Sequence, residues 1–227
     1  MTEAYVIAPP PVVSVPVAGG GLFPVRRIYC VGRNYVEHIK EMGGDVRLPP
    51  FFFQKPTDAI VQNGATVPYP GLTKDFQHEI ELVLAIGKGG KDIAPEKAHE
   101  HVFGLAVGVD LTRRDVQTAL RDKGRPWEAG KAFDASAPIT AIHPLTGPLP
   151  TQGAVWLKVN GQTNQSGDLE QLIWSNAEIV AQLSTLFELF PGDLIYTGTP
   201  SGVGPLQPGD AVEGFVEGVD TLSFKIG

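Results

Sequence analysis

The sequence predicts an α+β fold that is mainly β, and three observations carry that expectation. Glycine (27) and proline (20) make up about a fifth of the 227 residues, against roughly 12% in average usage, so turns should be frequent and helices few. In residues 79–86, Ile80, Leu82, Leu84 and Ile86 alternate with Glu79, Glu81, Val83 and Ala85, which is the two-residue period of a strand with one apolar face. Asn160-Gly161 separates Val155–Val159 from Gln162–Gln165, and that dipeptide accepts the positive φ values of a type I′ hairpin turn. The length suffices for a full core without disulfides or structural metal. The expected organisation is an extended arm, 1–25, followed by one compact domain, 26–227.

In chain order, Arg27 to Val31 reads as a short strand, and Asn34 to Met42 as a short helix stopped by Gly43 and Gly44. Phe51 to Gln54 is a brief strand, and Phe51, Phe52 and Phe53 are expected in the core. Pro95 can start a helix to about His101, after which Leu105 to Val109 forms a buried strand with Asp110 at its tip. Thr112 with Asp115 resembles a capping box for a helix through about Asp122, closed by Gly124 and Pro126. Ser175 with Glu178 offers a second box. Behind it Ile179, Leu183, Leu186, Phe187 and Phe190 recur at helical spacing until Pro191-Gly192. Leu194–Thr197, Ala211–Val216 and Thr221–Lys225 complete a strand-rich C-terminal half.

The formal charge is -7 and no Lys/Arg cluster interrupts the chain, which argues against a nucleic-acid partner. Pro9, Pro10, Pro11 and Pro16 break the apolar N-terminal stretches, so neither a membrane span nor a signal peptide is expected. The only cysteine, Cys30, lies in an apolar run. It reads as a buried, inert thiol, consistent with a cytoplasmic protein.

The chemistry-bearing residues are mostly acids. Glu79 and Glu81, two apart on a strand, project from one face, where they repel each other unless a cation joins them. Asp110 could bring a third hard oxygen ligand, suiting Mg²⁺, Mn²⁺ or Ca²⁺. His38 and Glu41 are three apart, so a helix would place them on one face, with the carboxylate orienting an imidazole base. Taken singly, both pairs are also what ordinary solvated faces look like. Arg33, Lys55, Arg114 and Lys131 could offset the acids for an anionic substrate. The turn-rich Thr197–Gly204 segment could present N–H groups and hydroxyls to a carboxylate, and no nucleotide-binding fingerprint occurs.

Val31-Gly32-Arg33-Asn34-Tyr35 with His38 and Glu41, Gln54-Lys55-Pro56, His78-Glu79-Ile80-Glu81-Leu82, Asp110 through Gln117, Lys131, and Thr197-Gly198-Thr199-Pro200 together resemble the fumarylacetoacetate hydrolase family. The likeness spans about residues 26–226 and is strongest to its short acylpyruvate- and fumarylpyruvate-cleaving members. It implies a mixed β-sandwich roll, a homodimer, and one Mg²⁺ or Mn²⁺ held by Glu79, Glu81 and Asp110. It implies further that the His38–Glu41 helix is a lid, and that Lys131 and Gln117 assist the reacting group. Arg33, Lys55, Arg114 and Thr199 would lie near a small 2-oxo acid substrate. The expected reaction is hydrolysis of the acylpyruvate carbon–carbon bond. Oxaloacetate decarboxylation, 2-hydroxydienoate isomerisation or decarboxylation, and non-catalytic dicarboxylate binding are the alternatives.

Overall fold

The computed structural model describes residues 5–35 and 48–227. Most of the expected lid helix, with His38 and Glu41, lies outside the described residues. Asn34 and Tyr35, where that helix was expected to start, are not helical, and Tyr35 forms a bridge with Leu172.

Two curled sheets pack face to face. The larger contains β3 (Arg27–Gly32), β4 (Phe51–Lys55), β5 (Ile60–Gln62), β8 (Ile80–Ile86), β9 (Val102–Val109), β11 (Ala137–Ile139) and β15 (Asp193–Tyr196), in the order β4-β3-β15-β8-β9-β11-β5, with β12 (His143–Pro144) also on β9. It is mixed: β15 runs parallel to β3 and β11 to β5, whereas β8 and β9 are antiparallel. The second sheet joins β13 (Ala154–Val159), β14 (Gln162–Asp168), β17 (Ala211–Val216), β18 (Asp220–Ile226) and β6 (Thr66–Val67). Its β13–β14 hairpin turns at Asn160 and Gly161, with φ 51° and 80°, as expected for type I′. A small sheet of β10 (Thr112–Arg113), β7 (Phe76–His78) and β16 (Gly204–Pro205) closes one end.

The central strand β8 is buried on both faces, so the alternation expected there has two apolar sides. Ile80, Leu82, Leu84 and Ile86 enter the main core with Val155, Leu157, Val212 and Leu222 of the second sheet. Val83 and Ala85 enter another cluster with Ile28, Cys30, Ala106 and Tyr196. Within the stretch expected as an arm, β1 (Ser14–Pro16) and β2 (Leu22–Pro24) form a hairpin whose Val15 and Phe23 join that second cluster. Cys30 is free and fully buried, and burial pushes its thiol pKa well up, which suppresses the reactive thiolate.

The helices depart from expectation in informative ways. Helix α1 is Arg114–Arg121 and lacks a side-chain cap. Thr112 is in β10, where its hydroxyl donates to Asp110 O and accepts from Lys131; Asp115 instead accepts from Thr73 Oγ1 and Lys74 N. The Ser175–Glu178 box is formed at the start of α3 (Asn176–Leu186). That helix stops before Phe187, whose backbone is extended, so Phe190 is not part of it. Pro95–Glu100 is a 3₁₀ segment. Of the three phenylalanines expected in the core, Phe51 is exposed and Phe52 and Phe53 are half-buried.

Candidate metal centre and active site

The acid cluster is assembled by strand register. Ile80 pairs with Val109 across β8 and β9, and Asp110 N–H donates to Glu79 O at 2.8 Å just beyond them. This fastens two carboxylates at neighbouring strand ends, and Glu81 adds a third from within β8. One oxygen from each of Glu79, Glu81 and Asp110 lies within 4.8 Å of the others, and all three residues are buried. Oxygens that share one hard cation at about 2.0–2.6 Å are at most about 5 Å apart, so the spacing fits such an ion.

Electrostatics point the same way. Burial pushes the Glu81 carboxyl well above its ordinary pKa, and the charges of Asp110 and Glu79 add to the push; Gly198 N–H, donating to Glu81 Oε2 at 2.6 Å, opposes it. Gly198 has φ +105°, and a Cβ there would lie 2.7 Å from Asn34 Cβ, so glycine is what lets this N–H reach the acid. Hard oxygen donors, mutual repulsion and burial together suit Mg²⁺, Mn²⁺ or Ca²⁺.

Three cations surround the trio. Lys131, at the end of α2 (Glu128–Lys131), donates from Nζ to Glu79 Oε2 (2.8 Å), Asp110 Oδ2 (2.7 Å) and Thr112 Oγ1 (2.7 Å). Burial would depress its pKa, but the Asp110 and Glu79 charges outweigh burial and raise it. Lys55, at the end of β4, lies 2.8 Å from Asp110 Oδ1 and donates to the Leu111 and Lys131 carbonyls. Arg114 pairs with Glu79 and donates to Gln77 Oε1 (2.8 Å) and Gln117 Oε1 (2.6 Å). The three cations balance the three carboxylates, so an added divalent ion leaves positive charge for an anionic substrate.

A cavity of about 230 Å³ opens over this cluster. Arg33, Arg114, Gln117, Lys131 and Thr199 all line it with Glu79 and Glu81, so the structure brings these candidates together. Asp110 and Lys55 sit in the buried layer around the cluster, and Arg33 is exposed.

Other participants were not singled out from sequence. Phe53 and Trp127 line the cavity, and Trp127 also meets Phe51 edge-on with ring centroids 5.2 Å apart. Gln165 holds Thr199: its amide nitrogen donates to Thr199 Oγ1 and Pro200 O, both at 2.8 Å. Its oxygen accepts from Ile80 N–H, which makes His78 Nδ1 the donor in the 2.8 Å contact with that same oxygen. Gln165 lies on a strand of polar residues and gave no local signal. Arg121 also lines the cavity, and its spacing from Arg114 and Gln117 was a readable helical signal.

A β roll carrying buried hard-oxygen ligands, lysines and an anion-compatible cavity defines a metal-dependent enzyme for small carboxylic acids. The fumarylacetoacetate (FAA) hydrolase C-terminal family matches residues 27–226, and the chain belongs to that family. Fumarylpyruvate hydrolase from Ralstonia sp is 49% identical over 177 residues, covering 78% of this chain and 92% of the relative. The mitochondrial oxaloacetate tautomerase FAHD1 of Mus musculus is 40% identical over 202 residues, covering 88% and 91% respectively. Among solved structures, fumarylpyruvate hydrolase from Pseudomonas aeruginosa in complex with Mn²⁺ and pyruvate is 50% identical with TM-score 0.95, covering 98% of this chain and 99% of that one. Among the described residues, no helix is long and apolar enough to cross a membrane.

Proposed function

We propose that this protein is a fumarylpyruvate hydrolase that cleaves the carbon–carbon bond between the fumaryl and pyruvyl halves with water, releasing fumarate and pyruvate. The observation that carries the reading is the buried Glu79–Glu81–Asp110 cluster within 4.8 Å, set in a cavity with Lys131, Arg114 and Thr199. The Ralstonia and Pseudomonas relatives, at 49% and 50% identity, support this substrate over that of the tautomerase at 40%.

Glu79, Glu81 and Asp110 hold Mg²⁺ or Mn²⁺, with Ca²⁺ compatible with the same oxygens. When bound there, the cation would supply positive charge that stabilises the transition state more than the ground state as the pyruvyl half becomes negative. Arg33, Lys55, Arg114 and Thr199 favour the substrate's carboxylate end, with Lys55 acting through Asp110. Thr199 Oγ1 accepts from Gln165, which directs its own hydrogen elsewhere, towards an acceptor in the cavity. His38, oriented by Glu41, takes a proton as water attacks the acyl carbonyl carbon. Lys131 and Gln117 steady the developing oxyanion. When the carbon–carbon bond breaks, its electron pair passes to the pyruvyl half, and the proton returns there to complete pyruvate. The enzyme works in the cytoplasm as a homodimer, and equilibrium sedimentation tests the dimer.

Incubating the Mn²⁺-loaded protein separately with fumarylpyruvate and oxaloacetate, with products followed by NMR, tests the activity. Fumarate plus pyruvate from the first is the expected result. No cleavage of fumarylpyruvate, with enolisation or decarboxylation of oxaloacetate instead, would overturn it. His38→Ala should lower turnover about 10²- to 10⁴-fold while leaving Mn²⁺ affinity nearly intact; wild-type turnover in that variant rejects the base assignment.

A further inference from the structure

We propose that Arg121 is a specificity-determining residue that selects acyl groups ending in a carboxylate, an inference that rests on the hydrolase reading above. Helix α1 turns three polar side chains to the cavity, Arg114, Gln117 and Arg121. Their i, i+3, i+7 spacing is one face of a helix. Arg114 reaches the acid cluster through Glu79 and also donates to Gln117. Arg121 is two turns further along, about 10 Å at the α-helical rise. The stripe therefore runs from the centre to a second cation at a distance suited to an extended fumaryl group carried on pyruvate.

The two cations are committed differently. Arg114 has Nε, Nη1 and Nη2 engaged by Gln77, Gln117 and Glu79. Arg121 uses Nε and Nη2 on a single exposed oxygen, Asp122 Oδ1, at 3.1 and 3.0 Å, with side-chain exposures of 37% and 60%. Its Nη1 makes no hydrogen bond among the described residues, and a guanidinium carries five donors in a fork suited to carboxylate. Phe53 and Trp127 line the same cavity and offer flat apolar contact to a conjugated chain between the two ends. A distal carboxylate would thus meet a charge-assisted donor, whereas an acyl group ending in methyl would find no use for Arg121 and leave it to solvent and Asp122.

The test compares Mn²⁺-loaded wild type and Arg121→Gln on fumarylpyruvate and acetylpyruvate, which share the pyruvyl half and differ at the far end. The expected result is a loss of about tenfold or more in kcat/KM on fumarylpyruvate, mainly through KM, with less than about threefold change on acetylpyruvate. Arg121→Lys, which keeps the charge without the fork, should fall between on fumarylpyruvate alone. Equal losses on both substrates, or no loss on either, overturn the assignment while leaving the hydrolase reading intact. Wild type that cleaves neither compound overturns the hydrolase reading and this inference with it.

Discussion

On the surface, Glu100 meets Lys97 at 2.9 Å and Lys88 at 3.7 Å, with side chains 38–62% exposed. At the centre, Glu79 and Asp110 meet Lys55, Lys131 and Arg114, beside a buried Glu81 that accepts from Gly198 N–H, all with little access to water. The residue types match, yet the outer acid is held below its ordinary pKa by Lys97, while burial and its acidic neighbours push Glu81 up. Water screens the outer group and makes it nearly interchangeable with no pair at all. Without water, losing a cation leaves the buried carboxylates uncompensated, whereas losing the charge of Glu81, which forms no ion pair among the described residues, relieves repulsion.

The largest expected effect comes from Glu81→Gln, which keeps the shape and removes one ligand charge. Outer partners of metal ligands typically contribute 10- to 100-fold to affinity, so loss of a ligand should exceed about 100-fold by calorimetry with Mn²⁺. The same variant should melt at a higher temperature than wild type when metal-free, because it removes one of three repelling buried charges. Undiminished affinity would remove Glu81 from the ligand set. Lys131→Met comes next: two carboxylates lose their shared ammonium, and about 3–5 kcal/mol of stability should disappear from the metal-free protein in denaturant titration. Saturating Mn²⁺ should recover part of that loss, and an equal loss with and without metal would show that Lys131 acts only through packing. Lys97→Ala should be smallest, with no resolvable change in the unfolding midpoint; a loss rivalling that of Lys131→Met would defeat the contrast between wet and dry pairs.

The parts legible from sequence are those whose signal is local. Alternation around Glu81, Asp110 at the tip of an apolar run, and the Asn160-Gly161 turn each declare themselves within a few residues. The Ser175–Glu178 box does too, because among the described residues no neighbour competes for its groups. The Thr112–Asp115 box failed because Lys131 and the Asp110 carbonyl claim the threonine hydroxyl while Thr73 and Lys74 claim the aspartate. Tertiary partners outbid a local pattern there. Strands of two or three residues, such as β7, β10 and β16, carry no period at all and exist through pairing with distant segments. Phe53 is a divided case: the run of three aromatics implied core, and the ring does pack against the second core cluster, but β4 is at the sheet edge and the same ring also lines the cavity.

Because Ile80 faces Val109 across β8 and β9, sliding β8 by one residue would turn Glu81 into the main core and Leu82 towards the carboxylates. The misaligned chain would lose its apolar interior and its ligand set in the same step. The hairpin thus proofreads itself: a cation finds three oxygens only on molecules whose interior has closed correctly, so metal uptake during refolding should report completed assembly and not mere collapse.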